Sequence, residues 1–139
     1  EYPGSGQIEW NRDNDNYEAL RRADILISDF SGVIFDFSLV YNKPVIYADT
    51  EFDSSPYDAW WMEGEYWTFN ALARIGQKLT ADNLGTLKEM IDTCLTDPRY
   101  AKGREEAREE TWEHPGEGAV RAVDWLLAKY ESLKAEEGN

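Results

Sequence analysis

The chain of 139 residues carries 14 Lys and Arg against 28 Asp and Glu, so its formal net charge at pH 7 is −14. This length supplies one domain's worth of chain with a modest core, and the single cysteine, Cys94, excludes an internal disulfide and fits a reducing compartment. The negative field repels nucleic acid and anionic membrane surfaces, so neither is expected to contact the chain directly.

The first predicted elements are a helix, a strand, a second helix and a second strand. Residues 16–23 predict a short helix, and the apolar run at residues 25–27 predicts a strand. A polar turn at residues 30–32 leads at once into a strongly apolar helix at residues 33–40, and residues 45–47 form the next strand. A strand, turn, helix and strand joined by so little linker indicate a parallel sheet.

The second half of the chain alternates a weak strand or turn with three helices. The weak element is predicted at Leu72–Leu79, and Thr80 is a good N-cap for a helix over Ala81–Leu95. The highly charged stretch Arg99–Trp112 predicts a solvent-facing helix. The clearest amphipathic pattern runs from Glu117 to Ala135 and predicts a long last helix.

The turn after the first strand is a candidate anion site. The first N–H groups of a helix lack intrahelical acceptors, and the helix dipole favours an anion at that end. The pattern predicts that Ser31 and the amides of Gly32 and Val33 contact phosphate, while Asp29 and Asp36 shape the loop. The alternative is that the Ser31 hydroxyl caps the helix. Neither a P-loop nor a GxGxxG fingerprint is present in the sequence.

A second candidate site precedes the last helix. Gly116 and Gly118 leave backbone amides accessible, and Glu117 is placed to accept hydrogen bonds from ribose hydroxyls. An ordinary glycine-containing N-cap turn is the alternative. His114 is the single histidine, and a histidine without a positioned partner is predicted to be a surface or capping residue rather than a general base.

An aromatic and acidic stretch occupies residues 49–67 and follows neither the period of a strand nor that of a helix. It includes Trp60 and Trp61 and is predicted to be a functional loop, an interface, or aromatic cover for a sheet edge. Its carboxylates match no defined metal-ligand spacing, so no metal is expected.

The segment from Ala23 to Asp49 reads ADILISDFSGVIFDFSLVYNKPVIYAD. It resembles the signature of the CDP-glycerol:poly(glycerophosphate) glycerophosphotransferase family, the teichoic-acid polymerases and primases. The matching positions are Asp29, Ser31, Asp36, Phe37, Lys43 and Pro44. Weaker likeness continues at residues 49–52, 64–66 and 115–121. The family usually has two adjacent hydroxyl residues where this chain has Ser31-Gly32, and an Arg where it has Glu63.

The resemblance implies an α/β, Rossmann-like fold: a parallel sheet flanked by helices, as in the C-terminal donor-binding lobe of a two-lobed, GT-B transferase. Residues 1–139 are expected to form a single, truncated domain that needs a missing N-terminal lobe and is inactive alone. The implied reaction moves glycerol phosphate from CDP-glycerol to an acceptor hydroxyl of a teichoic-acid-like polymer of the bacterial cell wall. CMP leaves and no cofactor takes part. The implied location is the cytoplasm, with the parent protein at the inner face of the membrane.

Two alternatives remain open at this point. One is a nucleotide-sugar glycosyltransferase of the same architecture, and the other is a nucleotide-free interaction domain that uses the Trp-rich loop. Missing upstream strands would expose a sheet edge, which favours a homo-oligomer. Lys43 stands at the far end of the helix from the candidate turn and is predicted to be a surface residue.

Overall fold

The computed structural model of this chain describes residues 8–12, 15–29, 31–48, 64 and 66–137. The chain divides into two compact units, Glu1–Arg108 and Glu109–Asn139. The first unit combines a sheet with helices, and the second is helical where it is described. The interpretation of residues 1–139 as one partial domain stays a prediction.

The described part of the first unit contains a small open sheet of three parallel strands in the order β1-β2-β3. The strands are β1 (Leu26–Ser28), β2 (Val45–Ala48) and β3 (Gly76–Leu79). Their first residues are aligned, since Leu26 lies opposite Val45 and Val45 lies opposite Gly76. The predicted α/β class with a parallel sheet is therefore confirmed, and the sheet is consistent with a Rossmann-like fragment.

Six α-helices accompany the strands in the described residues. They are α1 (Tyr17–Arg22), α2 (Val33–Phe35), α3 (Trp67–Ile75), α4 (Leu87–Thr96), α5 (Pro98–Thr111) and α6 (Gly118–Glu137). A π-helical segment, Asp36–Val40, continues α2, and a 3₁₀ turn, Leu84–Thr86, precedes α4. The predicted strand, turn, helix and strand at residues 25–47 and the long last helix are confirmed.

The prediction of a weak strand or turn over Leu72–Leu79 is wrong in its first half. Helix α3 continues to Ile75, and only then does the chain enter β3. Ala71, Leu72 and Ile75 are buried at spacings of one, three and four residues, which places them on one face of a helix. Burial of this face stabilises the helical conformation up to Ile75, so residues 72–75 do not join the sheet.

The helix predicted to start at Ala81 begins later. The Thr80 N–H donates to the Asn83 side-chain oxygen at 2.8 Å, and the Asn83 N–H donates to the Thr80 hydroxyl at 3.3 Å. This reciprocal pair closes a turn ahead of α4 instead of capping it, because serine, threonine and asparagine side chains compete with helical backbone bonding. The N-cap residue of α4 is Thr86.

Helix α5 was predicted to face solvent, and the structure corrects this. Tyr100, Gly103, Arg104 and Ala107 are buried along one side of the helix. Their spacing is that of one helical face, but a glycine and an arginine on that face do not register as an apolar stripe. Charge pattern therefore identified the helix and missed its packed side.

Cys94 belongs to the hydrophobic core that forms where α4 and α5 pack against the sheet. Ile46 of β2 packs with Met90 and Cys94 of α4 and with Tyr100 of α5. Cys94 is 2% exposed, which confirms its predicted core position. Burial raises the pKa of the Cys94 thiol above its ordinary value, because a thiolate would lose its hydration there.

Lys43 closes the end of α1 rather than standing in solvent. Its Nζ donates to the carbonyl oxygen of Arg21 at 2.7 Å and to that of Ala23, and it lies 5.8 Å from the Phe37 ring centroid. A cation at the C-terminal end of a helix satisfies carbonyl groups that have no intrahelical donor and complements the helix dipole. The Lys43 side chain thus ties α1 to the chain just ahead of β2.

Replacing Lys43 with Met is expected to lower the free energy of unfolding by about 1–3 kcal/mol, because two charge-assisted hydrogen bonds are lost. Urea unfolding followed by circular dichroism measures the change. Lys88→Met is the control: Lys88 pairs with Asp92 at 2.7 Å on an exposed helix face, so its loss should cost less than about 0.5 kcal/mol. Equal effects of the two substitutions would contradict the capping role.

Candidate functional site

The turn that follows β1 is shaped by Asp29. One oxygen of its carboxylate accepts the N–H of Ser31 at 2.8 Å and lies 3.5 Å from the Ser28 hydroxyl, which donates to it. A carboxylate that accepts the N–H two residues onward forms a tight local turn. The Asp29 side chain is therefore engaged with the loop's own backbone.

Three hydrogen-bond donors at the start of α2 are candidates for binding an anion: the N–H groups of Gly32 and Val33 and the hydroxyl of Ser31. The next two N–H groups along the chain are already bonded within the turn. The Ile34 N–H donates to the Ser31 carbonyl and the Phe35 N–H to the Gly32 carbonyl, each at 3.0 Å. Within the part of the chain that the structure describes, the N–H groups of Gly32 and Val33 have no acceptor. The N-cap residue is Gly32, and no side chain caps the helix, so the Ser31 hydroxyl does not serve as a cap. Ser31 is exposed to solvent.

The helix behind this turn is anchored in the interior. Ile34, Phe37, Ser38 and Leu39 are all buried, so the direction of α2 and of its π-helical continuation is fixed by packing. Asp36 is exposed and opens the π-helical segment. Its carboxylate lies near the helix start, where the dipole favours negative charge. The buried side chains of this helix thus hold the Gly32 and Val33 amides in a fixed position.

The second candidate site lies in the second unit and is held by local contacts. Glu117 forms an ion pair with Arg121 across 3.3 Å, and an Arg121 guanidinium nitrogen lies 2.7 Å from His114 Nε2. The Glu117 N–H donates to the His114 carbonyl at 3.0 Å. Gly116 has a φ of 84°, a left-handed conformation that glycine adopts without a steric penalty. The structure therefore brings His114, Glu117 and Arg121 together at the start of α6.

Arg121 lies at the end of residues 115–121, a stretch with weaker likeness to the family, but no role was predicted for it from sequence. The available signal was its spacing, since residues four apart on a helix are neighbours and Glu117 stands four positions before it. Ser31, Gly32 and Val33 belong to one compact unit, and Gly116, Glu117 and Gly118 belong to the other. A single site formed from both clusters stays a prediction.

A buried guanidinium supports the far end of the helix that starts at the candidate turn. Arg104 is 7% exposed, and its Nε donates to the Asn42 side-chain oxygen at 3.0 Å. Asn42 has a φ of 55° and lies just past the π-helical segment. Burial lowers the pKa of the Arg104 guanidinium from its ordinary value. Sequence offered no signal for this residue, because it stands in a run of charges.

Among the described residues, no group of three or more His, Cys, Asp and Glu side chains is placed to hold a metal ion. No helix in that part of the chain is both long enough and apolar enough to cross a membrane. The aromatic and acidic stretch predicted at residues 49–67 lies mostly outside the described residues, including Trp60, Trp61 and Glu63, and Phe30 also lies outside them. At the described end of the stretch, Trp67 is the first residue of α3. The role of that loop stays a prediction.

Comparison with known proteins decides the family. The model of the CDP-Glycerol:Poly(glycerophosphate) glycerophosphotransferase family matches residues 5–123. The chain belongs to this family. The resemblance noted in the sequence is therefore confirmed, and the match covers both candidate turns of this glycerophosphotransferase-family chain. Membership implies a nucleotide donor such as CDP-glycerol. No curated protein and no solved structure gives a significant match.

Proposed function

We propose that this chain supplies the donor-binding surface of a transferase that moves glycerol phosphate from CDP-glycerol to an acceptor hydroxyl of a teichoic-acid-like polymer, with CMP as the leaving group. Family membership supports the chemistry. The observation that carries the site is the group of donors at the start of α2: the Gly32 and Val33 amides, which have no acceptor among the described residues, beside the exposed Ser31 hydroxyl.

These donors suit a pyrophosphate group for two physical reasons. They point out of the start of a helix at the carboxyl end of β1, where the helix dipole adds partial positive charge. They are also fixed in place before the ligand arrives, because the helix is anchored by buried side chains. Preorganised donors stabilise the negative charge that develops on the leaving phosphate without reorganising during the reaction.

The global charge opposes this ligand, so local geometry has to overcome it. A formal net charge of −14 repels a nucleoside diphosphate at long range. Asp29 adds a carboxylate beside the turn, but its hydrogen bond with the Ser31 N–H directs it at the backbone. We assign Asp29 and Asp36 to shaping the loop, and Gly116, Glu117 and Gly118 to the ribose. Glu117 would have to exchange its exposed Arg121 pair, which is worth less than about 1 kcal/mol.

Two substitutions in the turn test the proposal in opposite directions. Ser31→Ala removes a hydroxyl and is expected to raise the Kd for CDP-glycerol about 3–10-fold, the cost of one hydrogen bond to a charged ligand. Gly32→Ser is expected to lower the Kd about threefold, because it adds the second hydroxyl common in the family. The added side chain fits, since a Cβ at Gly32 meets no atom within 4 Å and the φ of −54° suits any residue.

Isothermal titration calorimetry on the full chain measures both constants. Gly85→Ser is the matched control, since a Cβ at Gly85 also meets nothing within 4 Å and the residue lies outside the turn. Unchanged affinity in Ser31→Ala and Gly32→Ser alike would contradict the site. A parallel titration with a UDP-sugar addresses the rival donor: tighter binding of that ligand than of CDP-glycerol would replace the proposed activity with glycosyl transfer.

A further inference from the structure

A basic groove lies between α3 and α5, in the first unit. Its volume is about 310 Å³, and it is lined by Ala73, Arg74, Arg99, Lys102, Gly103 and Glu106. Three of these six residues are cations and one is an anion, although the chain as a whole carries a formal net charge of −14. The groove therefore concentrates positive charge on an otherwise acidic protein.

Gly103 is the reason why the cations converge. A Cβ built at Gly103 would lie 2.1 Å from the Arg74 carbonyl oxygen, so the helix surface of α5 touches the backbone of α3 at this point. Close approach of the two backbones brings Arg74 on one wall next to Arg99 and Lys102 on the other. The basic groove is thus built by helix packing.

Two of the groove's three cations, Lys102 and Arg99, are held in contacts that an anion can exchange. Lys102 pairs with Glu106 at 3.2 Å and Arg99 pairs with Asp97 at 3.0 Å, and both cations are mostly exposed. Exposed pairs of this kind contribute little to stability. The Arg99 guanidinium also lies 4.6 Å from the Tyr100 ring centroid, which orients its plane. A phosphate oxygen can take the place of either carboxylate at small cost, because guanidinium and ammonium groups bind phosphate well.

The basic groove and the turn at Ser31 lie at opposite ends of the parallel strands: the groove lies at the amino edge of the sheet, where the strands begin, and the turn at the carboxyl edge, where they end. Helix α3 ends at Ile75 and leads directly into Gly76, the first residue of β3, so Arg74 lies at the amino edge. The Ser31 turn follows the last residue of β1, at the carboxyl edge. Strands of three or four residues separate these edges by about 10 Å or more. A ligand in the groove is therefore not the group that reacts at the turn.

We propose that the basic groove binds phosphodiester units of a poly(glycerol phosphate) acceptor, away from the end that receives the next unit. This inference rests on the proposed function, because the acceptor class follows from the family of the chain. A polymer bridges the two edges of the sheet, whereas a single phosphate cannot. Several phosphodiesters that share one groove also raise one another's effective concentration. Affinity should therefore increase with acceptor length and decrease with salt.

The experiment is a titration of the full chain, followed by amide and arginine side-chain NMR, with glycerol phosphate oligomers of two and six units. The six-unit oligomer should shift the signals of Arg74, Arg99 and Lys102 and bind several-fold more tightly than the two-unit oligomer. A neutral six-unit polyglycerol tests the contribution of the ligand's polymer chain without charge. Inorganic phosphate tests the contribution of the charge without the polymer chain. Equal binding of polyglycerol, or no gain from two units to six, would overturn the proposal.

Matched substitutions locate the binding. Arg99→Gln and Lys102→Gln should each weaken binding of the six-unit oligomer about threefold, which is the effect of one exposed charge contact. Arg21→Gln and Lys88→Gln are the controls, because Arg21 pairs with Glu18 and Lys88 with Asp92 in the same exposed manner outside the groove. Controls that weaken binding as much as the groove variants would show a response to net charge and overturn the proposal.

A separate CDP-glycerol titration distinguishes this inference from the proposed function. Oligomer shifts in the groove without any CDP-glycerol response at Ser31 and Gly32 would support the groove and contradict the donor site. A CDP-glycerol response at the turn, with no oligomer shifts at Arg99 and Lys102, would keep the donor site and overturn the groove.

Discussion

Gly76→Ala is expected to lower the free energy of unfolding by about 3 kcal/mol, because it forces a side chain into the backbone of the neighbouring strand. Gly76 opens β3 opposite Val45, and a Cβ there would lie 2.0 Å from the Val45 carbonyl oxygen and 2.6 Å from Val45 Cγ2. The φ of −168° is ordinary extended backbone, so the cost comes from the contact alone. Relief requires β2 and β3 to separate, which breaks the sheet at its middle strand.

Urea unfolding with circular dichroism measures this loss, and Gly85→Ala is its control. A Cβ at Gly85 meets nothing within 4 Å, so alanine there should leave stability unchanged or raise it by up to about 1 kcal/mol. A Gly76→Ala variant as stable as the Gly85→Ala variant would show that β2 and β3 are not in contact at this register.

Gly103→Ala is expected to lower the free energy of unfolding by about 2 kcal/mol, although helix propensity alone predicts the opposite sign. Alanine is favoured over glycine inside a helix by about 1 kcal/mol. At Gly103, however, the added Cβ would lie 2.1 Å from the Arg74 carbonyl oxygen and 2.7 Å from its carbon. The clash is with backbone, which cannot rotate away, so the packing term exceeds the propensity term.

The sign of the change makes this measurement decisive. Ala101→Gly calibrates the propensity term, because Ala101 is exposed on the same helix and its exchange should cost about 1 kcal/mol. A Gly103→Ala variant more stable than the parent would mean that α3 and α5 do not approach closely. In that case the basic groove between them would also lose its structural basis.

Local patterns in the sequence determined the framework that carries the candidate site. The apolar run at residues 25–27, the polar turn and the apolar residues that follow it are separated by very few positions, so strand, turn and helix could be predicted together. The same short segment carries the motif by which the family could be named, and the family match bears that out. Turn chemistry at Asp29 and Ser31 depends on neighbours two residues apart, which sequence displays directly.

Tertiary structure alone decided the features that depend on residues distant in the chain. Lys43 bonds to carbonyl groups 20 and 22 positions away, and Arg104 bonds to Asn42 across 62 positions. Gly103 is required to be small only because the Arg74 backbone lies against it. Each of these residues looks like an ordinary member of a polar or charged stretch. Their roles follow from which surfaces the fold brings together, and periodicity within one element carries no information about the element that packs against it.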